Sequence, residues 1–227
     1  MSESNNDIIT NMRISLEKAH VKGTPEYIKN LQANSSSPNF KDFRLEGTAA
    51  LMFAKVGCCV TIRKRAEPPD LALRFNNGQF YAEVKHFREK EQDRIDAAKM
   101  SGLDDESELE PYGDTVLLQG KSAWEQVYCV AKDKINQYKE HAPNILVIES
   151  SSTSIEDTEI PTAINMIDED VRSGDSPGLT KLNGILLALD WSNISRQWRE
   201  VFFYPTSKPA VSLSRELSGL LDEIRQG

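Results

Sequence analysis

The tripeptide Asn76-Asn77-Gly78 separates two short runs with strand character, Asp70–Phe75 and Gln79–Phe87. A tight reversal needs positive φ, which Asn and Gly tolerate, so this segment predicts an antiparallel hairpin. Side chains alternate between faces along a strand, so residues of like parity share a side. If Asn77-Gly78 forms the turn, Asp70 stands opposite Lys85. If Asn76-Asn77 forms it, Asp70 stands opposite Glu83. Both registers project Asp70, Glu83 and Lys85 from one face, whereas a three-residue loop would break the pattern.

Around this hairpin the chain alternates helical and strand signals. Residues 6–33 carry helical spacing, with a Thr24-Pro25-Glu26 start before Tyr27, Ile28 and Leu31. Asn34 to Asn39 reads as a loop, and a helix over about 41–56 stops at Gly57. A first strand at about 59–64 precedes the hairpin. Residues 88–118 are polar and acidic, too long for an ordinary connection, and read as an insertion. Then come a helix over about 119–141, a buried strand at 145–148, a helix near 157–171, strands at 184–189 and 201–204, and a helix near 212–224. Helix, three strands, helix, strand is the order of an α/β domain with one mixed central sheet flanked by helices. The division expected is an N-terminal helical elaboration over 1–40 and an α/β domain over 41–227.

The length, 227 residues, suits one such domain. No apolar run approaches the roughly 18–20 residues of a membrane span, and Met1 to Asp7 lacks a basic-then-apolar leader pattern. Three cysteines without CxxC spacing read as free thiols in a reducing cytoplasm. The net charge of −8 weighs against a dedicated polyanion binder, unless basic residues gather locally or a partner protein supplies the affinity. Lys55 to Arg94 holds nine Lys and Arg against six acids, a mild local excess.

An acid-x-Lys triplet by itself means little, since this composition gives about two by chance. Glu83-Val84-Lys85 is the one such triplet in the chain, and it lies in the apolar strand 80–87 on the same face as Asp70. Two converging carboxylates repel unless a cation or proton compensates. Hard oxygen ligands suit Mg²⁺ or Mn²⁺, which also bind phosphate oxygens. A lysine one strand step from the acid can hold an attacking water, help deprotonate it, or stabilise charge on a phosphate. The alternative is a solvated strand face with a cross-strand ion pair.

Pro69-Asp70, twelve residues, then Glu83-Val84-Lys85 resembles the PD-(D/E)xK motif of the restriction-endonuclease-like nuclease superfamily. The resemblance covers about residues 41–150. It implies an αβββαβ core, Asp70 and Glu83 as ligands of Mg²⁺ or Mn²⁺, and Lys85 as the catalytic lysine. It implies endonuclease action on nucleic acid, most readily DNA, of restriction, repair or mobile-element defence type. Many members add an acid on the preceding helix, and Glu46, at the border of that helix's apolar face, fits both roles, catalytic and metal-binding. The alternative reading is a catalytically silent nuclease-like module that binds nucleic acid or protein, with a homodimer or partner possible in either case.

Nucleic-acid contacts are expected from Arg63, Lys64 and Arg65 at the end of the first strand, from Arg88 past the motif, and from Lys121. Lys121, Lys132 and Lys139 border one side of the long helix, where a solvated stripe is the plainer reading. Lys134 and Gln137 border the other side and have a smaller claim on the site. His86 should face away from it, and Asp190 and Trp191 end an apolar strand with little to recommend them.

Overall fold

The computed structural model describes residues 4–37, 39–64, 66–87, 122–150, 158–189 and 200–224. Three helices come first: α1 (Asn5–Lys18), α2 (Thr24–Ala33) and α3 (Phe40–Lys55). Strands β1 (Cys59–Ile62), β2 (Leu71–Phe75) and β3 (Gly78–Phe87) follow, then α4 (Ala123–Asp133) and β4 (Asn144–Ser150). Helix α5 (Glu159–Ser173), a 3₁₀ turn at Pro177–Lys181, β5 (Leu182–Leu189), β6 (Glu200–Pro205) and α6 (Arg215–Ile224) complete the order.

The strands form one six-stranded sheet in chain order, β1-β2-β3-β4-β5-β6. Pairings β1–β2, β2–β3 and β5–β6 are antiparallel, while β3–β4 and β4–β5 are parallel. The molecule is therefore a mixed α/β fold with helices on both faces of the sheet. Alternation along β4 shows how the faces separate. Ile145 and Val147 enter one apolar cluster with α1, α2, α3 and α6, and Leu146 and Ile148 enter the other with α4 and α5. A strand covered on both sides reads as an uninterrupted apolar run, as 145–148 does.

The hairpin takes the register in which Phe75 pairs with Gly78, leaving Asn76-Asn77 as the loop. Asn76 sits at φ 51°, a left-handed conformation that Asn adopts more readily than most residues. On the face turned to α3, Phe80 meets Phe53 edge to face at 5.8 Å.

Helix α4 opens on a capping box. The Ser122 hydroxyl accepts from the Glu125 N–H, and the Glu125 carboxylate accepts from the Ser122 N–H at 2.7 Å. The helix expected as far as His141 stops at Asp133. The chain tightens there into three-residue turns, with the N–H of Ile135 donating to Lys132 O and that of Gln137 to Lys134 O. Residues 119–121 and the 88–118 insertion lie outside the described residues. No helix among the described residues is long and apolar enough to cross a membrane.

Candidate active site

Because Leu71 pairs with Ala82, the next position outward sets Asp70 across from Glu83. Asp70 is pinned from both neighbouring strands. Its carbonyl accepts from the Arg63 N–H at 2.8 Å, and its Oδ2 accepts from the Val84 N–H at 2.9 Å. Glu83 is buried, with 2% of its surface exposed, and Lys85, 36% exposed at its side chain, stands two residues along the same face.

Two ammonium groups converge on Glu83 Oε1: Lys134 Nζ at 2.8 Å and Lys85 Nζ at 3.6 Å. Lys134 Nζ also donates to Gln137 Oε1 at 2.8 Å. Glu83 Oε2 has no hydrogen-bond partner among the described residues, and neither has the buried Tyr138 hydroxyl. A buried carboxylate oxygen without a donor is costly, so its persistence asks for a reason.

The electrostatics follow from this crowding. Burial, and then the charge of Glu83, push Asp70 up to about 6, against the Val84 N–H and the two lysines. Burial and the adjacent Lys134 ammonium bring Lys85 below its ordinary value, against the pull of both carboxylates. Burial, the largest single influence, opposes charge on Lys134, but the hydrogen bond to Glu83 and the further interactions with Glu83, Lys85 and Asp70 together outweigh it, and the pKa rises. Burial and the Glu83 charge raise the Tyr138 phenol.

The structure therefore brings together Asp70, Glu83 and Lys85 and adds Lys134, Gln137 and Tyr138. It does not bring Glu46 to them. Helix α3 packs through Leu45, Ala49 and Phe53 on the opposite sheet face, and Glu46 lines a small cavity with Tyr27, Ile62 and Arg63. Among the described residues no three His, Cys, Asp or Glu side chains form a metal-binding group.

Of the expected basic contacts, Arg63 and Lys64 lie among the described residues, each beside an exposed acid. Arg63 lies 3.5 Å from Glu67 and donates to Pro68 O, and Lys64 lies 3.7 Å from Glu26. Lys132 is held on Asp170 at 2.8 Å together with the Tyr128 hydroxyl. Arg65, Arg88, Lys121, Asp190 and Trp191 lie outside the described residues. His86 does face away from the site, 3.5 Å from Asp42 of α3. The signal for Lys134 was its place beside the apolar stripe of the helix. Tyr138 falls at helical spacing with Trp124, Tyr128, Ala131 and Ile135, an apolar stripe that reads as packing and hides its hydroxyl.

Neither the family models, nor the curated proteins, nor the solved structures compared with the chain gave a match.

Proposed function

We propose that the chain is a divalent-metal-dependent endonuclease that hydrolyses phosphodiester bonds in DNA, built on a restriction-endonuclease-like core made of α3, β1, β2, β3, α4 and β4. The observation that carries this reading is the placement of Asp70 across from Glu83 with Lys85 on the same face, around a carboxylate oxygen that has no donor among the described residues. That orphaned oxygen and the raised Asp70 pKa are what an oxygen-ligated cation would relieve, so Asp70 and Glu83 fit Mg²⁺ or Mn²⁺ as ligands. A bound ion of this kind supplies Lewis-acid polarisation of the phosphoryl oxygen and a more acidic water.

The chain's own residues have distinct parts in this reading. Asp70 and Glu83 orient charge at one end of the hairpin, and Val84 N–H fixes the Asp70 carboxylate. Lys134 holds Glu83 in place from outside the hairpin. Lys85, partly exposed and with a lowered pKa, is suited to exchange a proton at Nζ with an incoming water or to donate to a phosphate oxygen.

One observation favours the second reading, a silent nuclease-like module: Lys134 and Lys85 already balance the two carboxylates. The two readings separate by experiment. Calorimetric titration with Mn²⁺ is expected to show binding that weakens strongly in Asp70→Ala and in Glu83→Ala. Plasmid, linear, single-stranded and branched substrates with Mg²⁺ or Mn²⁺ should reveal cleavage, and Lys85→Ala should abolish it while leaving stability within about 1 kcal/mol. Equal Mn²⁺ binding in all three proteins, or no cleavage of any substrate, would overturn the endonuclease.

A further inference from the structure

The sheet face that carries Glu83 and Lys85 is covered unevenly. The apolar cluster that α4 and α5 build over it takes residues from β3, β4 and β5 but none from β1 or β2. On the part that this cluster leaves uncovered among the described residues, the pairing register sets Arg74 beside Gln79 and Ala72 beside Tyr81, in rows leading to Asp70 and Glu83. Arg74 and Gln79 are exposed and Tyr81 is half-buried.

Tyr81 gathers cations. The Arg63 guanidinium lies 5.8 Å from its ring centroid and the Lys139 ammonium 5.9 Å, both within cation–π range. Gln79 donates to the Tyr81 hydroxyl at 2.6 Å. Gln79, Tyr81, Lys139 and His141 line one open groove. Glu140 borders the same groove, 3.2 Å from Lys181, but at 67% exposure its charge is screened by solvent and is a weak counterweight. Arg74 and Lys139 form no salt bridge among the described residues, and the acid beside Arg63, Glu67, is 58% exposed and so a weak counterweight. In a chain of net charge −8 this face is locally cationic.

We infer that this open face, with Arg63 and Lys139 over Tyr81 and Arg74 beside Gln79, binds the phosphate backbone of the nucleic-acid strand entering the Asp70–Glu83–Lys85 site. Charge complementarity selects a polyanion, and the nuclease reading, on which this identification rests, makes it the substrate strand. From Gln79 to Glu83 the strand runs about 13 Å, the rise of about four nucleotides of a duplex strand. Tyr81 is a positioning residue that presents the cations, and phosphates meet the cations themselves.

The test is binding of a fluorescein-labelled DNA oligonucleotide, single-stranded and duplex, followed by anisotropy in EDTA at 50–200 mM KCl. Arg74→Gln combined with Lys139→Gln should lower affinity roughly tenfold per cation at 0.1 M salt and flatten the slope of log affinity against log salt by about two units. Lys132→Gln, which alters a lysine tied to Asp170, should leave both unchanged. Wild-type affinity and slope in the double variant, or equal losses in Lys132→Gln, would overturn the inference. So would a wild-type protein that binds neither form at 50 mM KCl. Because no metal is present, the outcome is independent of turnover. Binding lost in the double variant of a protein that never cleaves would sink the endonuclease and keep the groove.

Discussion

Asp70 is held half-buried one strand away from a second carboxylate, and its pKa of about 6 records the cost of keeping it charged there. The sign of the effect on stability follows from linkage. The folded state binds the Asp70 proton more tightly than the unfolded chain, whose ordinary value is about 4. Folding is therefore favoured by this group below about pH 4, and that stability is lost as pH rises through about 6. Asp70→Asn keeps an acceptor for the Val84 N–H and removes the charge. Denaturant unfolding should find it more stable than wild type by roughly 2–3 kcal/mol at pH 8, with the gap closing toward pH 4. The same substitution should abolish Mn²⁺ binding, a gain in stability coupled to a loss of function. A variant less stable than wild type at pH 8 would show that the site does not strain Asp70.

At the scale of elements, the hairpin was legible because parity fixes which side chains share a face before the turn is known. The choice between the two registers was not legible, since Asn77-Gly78 is as good a turn as Asn76-Asn77. For Glu46, helical spacing found the right helix and its border. Which sheet face that helix covers is a tertiary fact, carried by contacts such as Phe53 with Phe80. The end of α4 was illegible for a similar reason. The Asn144 side chain, 1% exposed, accepts from the Lys139 N–H and donates to the carbonyls of Lys139, Ala142 and Lys181. One side chain thus ties the turn after α4, which carries Lys134, Gln137 and Tyr138, to the start of β4. Asn144→Ala should cost roughly 3 kcal/mol or more in denaturant unfolding, since buried backbone groups lose their partners. Asn144→Asp should cost still more despite its equal size, because a carboxylate would face three carbonyl oxygens. If the aspartate variant matches wild type, the side chain does not make these bonds.

Across the whole molecule, the first 40 residues read as a helical elaboration of the α/β domain, and their apolar residues enter its core. Leu16 and Leu31, both fully buried, join Leu45, Phe53, Leu71, Leu73 and Phe80 in one cluster. The backbone at Lys22 also forms an isolated parallel bridge to Thr61 of β1. Leu16→Ala and Leu31→Ala should each cost about 2–5 kcal/mol. Far-ultraviolet circular dichroism and tryptophan fluorescence should report one coincident unfolding transition in wild type. An N-terminal phase that melts separately would show that these helices fold apart from the sheet.

Each strand of the sheet lies beside its neighbours in the chain. Among the described strands none must be threaded between two that have already paired, so the sheet can grow from one edge to the other as the chain is synthesised. The β2–β3 hairpin, whose contacts are local, closes early, and it carries Asp70, Glu83 and Lys85. Lys134 arrives only with the later parallel crossover. During that interval a nascent chain holds the two acids face to face, with Lys85 their nearest compensating ammonium among the described residues.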